Sequence, residues 1–307
     1  MKPLEGRVAM VAGAARGAGR GIAEMLGEAG ATVLCTGRSS RAGAGPSGRP
    51  ETIEETAERV AARGGVGIAL RVDHASDDEL AALFERVRSE HGRLDILVNV
   101  LGGRTAVTQW GSFWTHPLES GRAMIDEWVW PHLLTMRHAA ALMAELRSGL
   151  IVQITEGDFL FYRANLFYDL ARIAGIRMVH GAAEELAARG VTVLALAPGY
   201  LRTEAMLDHF DVTVDTWRDA GAQDPNFLHS ESPYFVGRAV AALAADPHVA
   251  SKSGSLLSSW ALAAEYGFDD VDGSRPNWGR HFADTYGEVP GGPPKTRLEW
   301  RIVRRDG

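Results

Sequence analysis

Three groups of residues in this chain have types and spacings that could do chemistry. The first is a glycine turn, Gly13-Ala-Ala-Arg16-Gly17-Ala-Gly19, which follows a short apolar run and opens a helical one. Glycine lets a backbone turn tightly and approach a pyrophosphate closely. The helix start that follows offers free N–H groups and the positive end of a dipole. The second group is Thr36-Gly37-Arg38-Ser39-Ser40-Arg41, at the end of the next apolar run. An acid placed there would bind the ribose 2′-hydroxyl of NAD, but none occurs before Glu51. Arg38 instead offers a planar fork of donors to a 2′-phosphate, with Arg16 beside it, so the expected cofactor is NADP(H). The other reading of both arginines is a solvated surface. The third group is Tyr168-Asp-Leu-Ala-Arg172, a phenol and a guanidinium on one helix face. The fixed charge of Arg172 favours a tyrosinate, yet arginine cannot release a proton near neutral pH.

These groups need a frame. Residues 7–12, 31–36, 66–72, 94–98, 150–155 and 191–197 are short apolar runs that read as strands, with 255–258 as a further candidate. Between them, 17–29, 52–62, 77–90, about 122–147, 167–188 and 233–244 carry helical spacing. Such alternation means parallel strands joined by right-handed helical crossovers. The expected fold is α/β: a doubly wound parallel sheet of the Rossmann kind, three layers deep (α/β/α), in a single domain over residues 1–275. Pro131 should break the long middle helix. Residues 276–307 follow a stretch rich in Gly, Pro and Asp and are expected to form a surface tail.

Composition narrows the function. A chain of 307 residues that is 46% hydrophobic can bury a large core. Its formal charge of −7 favours neither nucleic acid nor an anionic membrane as a partner, which leaves a small-molecule substrate. No stretch approaches the roughly 18 apolar residues of a membrane helix. Lys2 and Arg7 ahead of residues 8–15 mimic a short signal peptide, but the glycine turn that follows makes a buried first strand the better reading. Cys35 is the only cysteine, which suits a reducing compartment, and the expected location is cytoplasmic. One cysteine cannot make a zinc cluster and no H-E-x-x-H pair occurs, so no metal is expected.

The spacing Gly13-x-x-x-Gly17-x-Gly19 resembles the short-chain dehydrogenase/reductase family rather than the G-x-G-x-x-G of other dehydrogenases. Four further stretches resemble that family in order. Asp73 sits where the family has an adenine-contacting Asp. Leu97-Val98-Asn99-Val100-Leu101-Gly102-Gly103 resembles its Asn-Asn-Ala-Gly stretch. Tyr168 and Arg172 sit where it has Tyr-x-x-x-Lys, and Ala197-Pro198-Gly199-Tyr200-Leu201-Arg202-Thr203 resembles its Pro-Gly segment beside the nicotinamide. The likeness spans about residues 6–205. Within the family it is to the dehydrogenase/reductase member-one type, through Ser112-Phe-Trp114-Thr-His-Pro117, Leu243-Ala-Ala-Asp246-Pro247 and Ala264-Glu-Tyr266-Gly267-Phe-Asp-Asp270-Val-Asp272-Gly273. The resemblance implies hydride transfer between NADP(H) and a carbonyl or alcohol. It implies a cofactor site of Gly13, Arg16, Gly17, Gly19, Arg38, Asp73, Asn99, Gly102, Tyr168, Arg172, Pro198, Gly199 and Thr203. It also implies a homo-oligomer, dimer or tetramer, with helix 167–188 in the interface.

The same resemblance exposes departures. The family works with Asn, Ser, Tyr and Lys, of which only the tyrosine is kept, as Tyr168. Arg172 replaces the lysine. Glu156 stands where Leu150-Ile-Val-Gln-Ile-Thr155-Glu156 should end in the working serine, and strand alternation should turn Thr155 the other way. A carboxylate cannot donate to a carbonyl. Glu156 could donate if an apolar pocket kept it protonated, act as a general base, or pair with Arg172 in place of a lost active site. Asp126 is the nearest match to the relay Asn, or else a helix-surface acid. Phe159, Phe161, Tyr162, Phe167 and the eight tryptophans could line an apolar pocket or belong to core and interface. Three functions stay open. One is a carbonyl reductase acting on an apolar or aromatic molecule. Another is a lyase or isomerase, since Thr155-Glu156 resembles the Thr-Asp-Glu of sugar-nucleotide dehydratases. The third is an NADP(H)-binding sensor.

Overall fold

The computed structural model describes residues 2–43, 45, 48–102, 112–156 and 165–287. Seven parallel strands form one sheet: β1 (Val8–Ala12), β2 (Thr32–Gly37), β3 (Val66–Arg71), β4 (Ile96–Asn99), β5 (Gly149–Ile154), β6 (Val191–Ala197) and β7 (Leu256–Ser258). Their order is β3-β2-β1-β4-β5-β6-β7. β1 pairs with β2 on one side and β4 on the other, so the winding reverses there and opens a crevice at the strands' C-terminal ends. Every residue of β1, β4 and β6 is buried, as strands covered on both faces must be.

The helices are α1 (Gly17–Glu28), α2 (Ile53–Ala62), α3 (Asp77–His91), α4 (Leu118–Trp128), α5 (Trp130–Leu146), α6 (Leu166–Leu186), α7 (Glu204–His209), α8 (Pro233–Ala245), α9 (Ser259–Tyr266) and α10 (Trp278–Tyr286). Ile22 and Leu26 of α1, Val60 of α2 and Val236, Val240 and Leu243 of α8 bury one sheet face. Leu80 and Phe84 of α3, Leu134 and Leu142 of α5 and Ile176 and Val179 of α6 bury the other. The outcome is the doubly wound, three-layer fold.

Local signals explain most boundaries. The Ser76 hydroxyl accepts from Glu79 N–H at the start of α3, acids fill that first turn, and Gly92 ends the helix at φ +68°. The long middle helix breaks at Val129 between α4 and α5, because Pro131 has no N–H to give. The stretch expected as a tail begins with a helix, α10, started by an Asn277 cap. None of its residues is fully buried, and it is held through Trp278, which meets the Tyr200 ring edge-on at 5.6 Å.

Candidate active site

The glycine turn closes on itself. Gly13 sits at φ +98°, and a Cβ there would come within 2.8 Å of the Val100 carbonyl oxygen. A Cβ on Gly19 would lie 2.1 Å from the Gly13 oxygen, so neither position tolerates a side chain. The Gly17 N–H, first in α1, donates to Glu204 Oε2 at 2.8 Å, and Arg20 Nη1 stands 3.6 Å from Glu204 Oε1. A carboxylate thus rests at the helix start where a dinucleotide pyrophosphate would bind. The donors there face outward and accept an anion, so the residues present fit such a cofactor.

Beyond the turn, the two arginines come to one end of the crevice. Arg16 lies 3.4 Å from Glu51 and 3.5 Å from the Ser39 hydroxyl, and Arg38 lies 3.6 Å from Asp73. Each is about a third exposed and paired rather than freely solvated. Arg49 joins them, 2.7 Å from both Glu51 and Asp208. Burial pushes the Glu51 carboxyl up, but hydrogen bonds from Arg49 and the charges of Arg49 and Arg16 outweigh it and hold Glu51 below the usual range. The pattern of residues 36–41 gave no sign of Arg49, because its partner Asp208 is distant in the chain.

Asn99, fully buried, donates from Nδ2 to the His132 carbonyl at 2.9 Å. Thr203 caps α7 by accepting from Met206 N–H, and its methyl packs where a Gly17 side chain would stand. Gly199 N–H donates to Glu231 Oε2 at 3.0 Å. Pro198, on its N-terminal side, directly follows β6, and Gly102 lies at the limit of the described residues, with nothing within 4 Å of a Cβ there. Gly103, Phe159, Phe161 and Tyr162 lie outside the described residues.

The catalytic end is assembled by side chains from three elements. β5 stops at Ile154. Thr155 then turns inward and is buried, while Glu156 emerges partly exposed, as strand alternation requires. The Asn165 side chain caps α6 by accepting from Tyr168 N–H at 3.0 Å, which starts the helix that carries Tyr168 and Arg172 on one face. The Tyr168 hydroxyl donates to Glu156 Oε2, and Arg172 Nε stands 3.4 Å from the same oxygen. The Arg172 guanidinium lies 3.9 Å from the Trp128 ring centre and 5.2 Å from that of Tyr168. Burial pulls Arg172 down to about 10 and the Glu156 charge opposes this, so Arg172 stays charged at neutral pH. The phenol therefore faces a carboxylate acceptor and a permanent cation.

Asp126 does not join this group. It is 60% exposed and pairs with Arg122 one turn away on α4, at 3.3 Å. The helix turns Trp128 toward the site instead, and its ring meets Tyr168 edge-on at 6.0 Å. Sequence reasoning did not single out Trp128 from the eight tryptophans, because its partner Arg172 lies on another helix. It also missed His132, buried under the site, whose Nδ1 hydrogen-bonds the Trp128 carbonyl at 2.5 Å. Burial pulls His132 down to about 4, and His74, in contact with Thr36 and Thr135, to about 3. Among the described residues no group of His, Cys, Asp and Glu is arranged to hold a metal ion, and no helix is long and apolar enough to cross a membrane.

A doubly wound sheet, a glycine turn at its switch point and a tyrosine beside the crevice define a dinucleotide-binding α/β protein. The sequence pattern described as enoyl-(acyl carrier protein) reductase matches residues 13–253. Dehydrogenase/reductase SDR family member 1 of Mus musculus is 36% identical over 277 residues, covering 88% of this chain and 85% of that protein. Its Homo sapiens counterpart is 34% identical over 282 residues, with the same coverage. Among solved structures, a hydroxysteroid dehydrogenase from Escherichia coli superposes with a TM-score of 0.67 at 25% identity, covering 83% of this chain and 96% of that one. The chain belongs to the short-chain dehydrogenase/reductase family, and with it to the NAD(P)-dependent oxidoreductases.

Proposed function

We propose that the protein uses NADPH to reduce a carbonyl, or NADP to oxidise the alcohol, on an apolar or aromatic small molecule, with Tyr168, Glu156 and Arg172 as its working group. The hydrogen bond from Tyr168 to Glu156 beside Arg172 carries this reading. When bound, the reduced cofactor supplies hydride to the carbonyl carbon. Tyr168 gives its proton to the carbonyl oxygen. Arg172 holds the resulting tyrosinate by charge, and Glu156, open to solvent, is the group through which the phenol regains a proton. Glu156 thus acts as a proton carrier, not as a donor to the substrate.

The preference for NADPH is supported by Arg16 and Arg38 flanking Ser39 with no acid between residues 38 and 41. Gly13, Gly17, Gly19, Asp73, Asn99, Gly102, Pro198, Gly199 and Thr203 complete the proposed cofactor site. The named activity of the solved hydroxysteroid dehydrogenase supports an apolar substrate. Trp130, Leu133, Leu166 and Leu170 expose apolar surface on α5 and α6, which supports a homo-oligomer built on those helices. A cytoplasmic location and a single domain over residues 1–275 complete the proposal.

The Tyr168–Glu156 pair also favours a second reading, proton transfer without net redox change. One experiment separates the readings: follow reduced-nicotinamide absorbance while the protein meets a panel of aromatic ketones. Oxidation of NADPH that disappears in Tyr168→Phe is the expected result. Substrate turnover without cofactor change would favour a lyase or isomerase. Tight NADPH binding with neither would leave a sensor.

A further inference from the structure

Behind Pro198 and Gly199 stands an acid that the proposed chemistry does not use. Glu231 is 1% exposed. Its Oε2 accepts from Gly199 N–H at 3.0 Å and from the Ser259 hydroxyl at 2.6 Å, while Oε1 is buried with no hydrogen-bond partner among the described residues. The backbone locks it in place. Glu231 N–H donates to the Tyr200 oxygen and Arg202 N–H to the Glu231 oxygen, both at 2.8 Å, in a one-residue parallel bridge between Leu201 and Glu231. A Cβ on Gly199 would stand 3.0 Å from that Oε2 and 2.8 Å from Trp278 Cβ, so only glycine lets the carboxyl close on this backbone.

Two charged groups act on Glu231. Asp270 pushes its pKa up, whereas Arg202 pulls it down but is itself held by Asp270 at 3.1 Å and Asp272 at 3.3 Å. Burial is the larger cause and raises the carboxyl to about 8, against the hydrogen bonds from Ser259 and Gly199. Glu231 is therefore mostly protonated at neutral pH.

We propose that Glu231 is a positioning residue: acting through Gly199, it sets how the nicotinamide end of the cofactor is held, and in its ionised form it favours the cationic oxidised ring over the neutral reduced ring. This rests on the reading that residues 198–203 carry that end of the cofactor. A protonated Glu231 is indifferent to ring charge, whereas an ionised one attracts the oxidised ring. The rest of the cofactor is identical in both forms, so the ratio of their affinities isolates this effect.

The test is calorimetric titration of the protein with NADPH and with NADP from about pH 6.5 to about 9.5. The ratio Kd(NADPH)/Kd(NADP) should rise about threefold to tenfold through an inflection near pH 8, the size expected for one partly screened charge pair. In Glu231→Gln the amide oxygen still accepts both hydrogen bonds, and the ratio should stay flat at its neutral-pH value. A second variant, Ser259→Ala, removes a donor that favours the carboxylate and should move the inflection to higher pH. An inflection that persists in Glu231→Gln, or one unmoved in Ser259→Ala, overturns the proposal. So does a flat ratio in the parent protein that binds both forms. Absence of binding to either form would instead sink the cofactor reading on which the proposal stands.

Discussion

The two ends of the crevice are built by different means. At the cofactor end the backbone does the work. Gly13, Gly17 and Gly19 lie within seven consecutive residues, and the proposed pyrophosphate site there needs the absence of side chains and one helix start. At the proposed catalytic end Glu156, Tyr168, Arg172 and Trp128 come from β5's exit, α6 and α4, and they meet through mutual side-chain contact. A backbone device tolerates little change in itself or in what packs on it, as Val100 against Gly13 and Thr203 against Gly17 do here. A side-chain cluster can exchange members so long as charge and proton traffic are conserved. The glycine spacing here resembles the family's, whereas Glu156 and Arg172 stand where the resemblance places its serine and lysine.

Substitutions should therefore separate affinity from turnover. The largest effect is expected from Tyr168→Phe, which should lower kcat by about 10²–10⁴-fold while the NADPH Kd, read by calorimetry, stays within about threefold. A matching loss of affinity would mean the two ends are one unit. Next, Arg38→Asp should shift the NADPH/NADH affinity ratio toward NADH by about tenfold to a hundredfold, since hydrogen bonds to a charged group are worth about 1.5–3 kcal/mol. An unchanged ratio would remove Arg38 from the 2′-phosphate site.

The buried imidazoles give a pH signature of both sides, His132 under Trp128 and His74 beside Thr36 at the end of β2. His132 and His74 have folded pKa values of about 4 and about 3, below the ordinary 6.5. The unfolded chain binds their protons first, so stability should fall as pH drops from about 6.5 toward about 4, by at most about 1.4 kcal/mol per unit for each histidine. Denaturant midpoints over that range check it, and His132→Asn should flatten the slope. Smaller still, Glu204→Ala should tighten cofactor binding about twofold to fivefold, because a charge at a helix start is worth about 0.3–1 kcal/mol and the cofactor must displace this one. Weaker binding would show that Glu204 helps the bound state. Asp126→Ala should leave kcat unaltered and stability within about 0.5 kcal/mol, as befits an exposed ion pair; a tenfold loss of kcat would return Asp126 to the site.

Much of this molecule was legible along the chain. Helix and strand order follow from apolar periodicity and caps, and the glycine turn follows from spacing alone, because each depends on residues a few positions apart. Asp126, left open between a relay residue and a helix-surface acid, stands on the helix surface, because helix phase directs it to solvent and Trp128 inward. Helix α10 escaped notice because it is short and lies in a stretch rich in Gly, Pro and Asp, and its partners, Tyr200, Asn226 and His229, are distant in the chain.

The sequence by itself determined the parallel sheet, the glycine turn and the presence of a Tyr168–Arg172 pair on one helix face. Only the tertiary structure decided that Glu156 meets that pair, that Trp128 covers Arg172, that Glu204 rests on the α1 start and that Glu231 lies sealed behind Gly199. Backbone geometry is written in neighbouring residues. The environment of a charge is set by whatever the whole fold packs against it, from any distance along the chain.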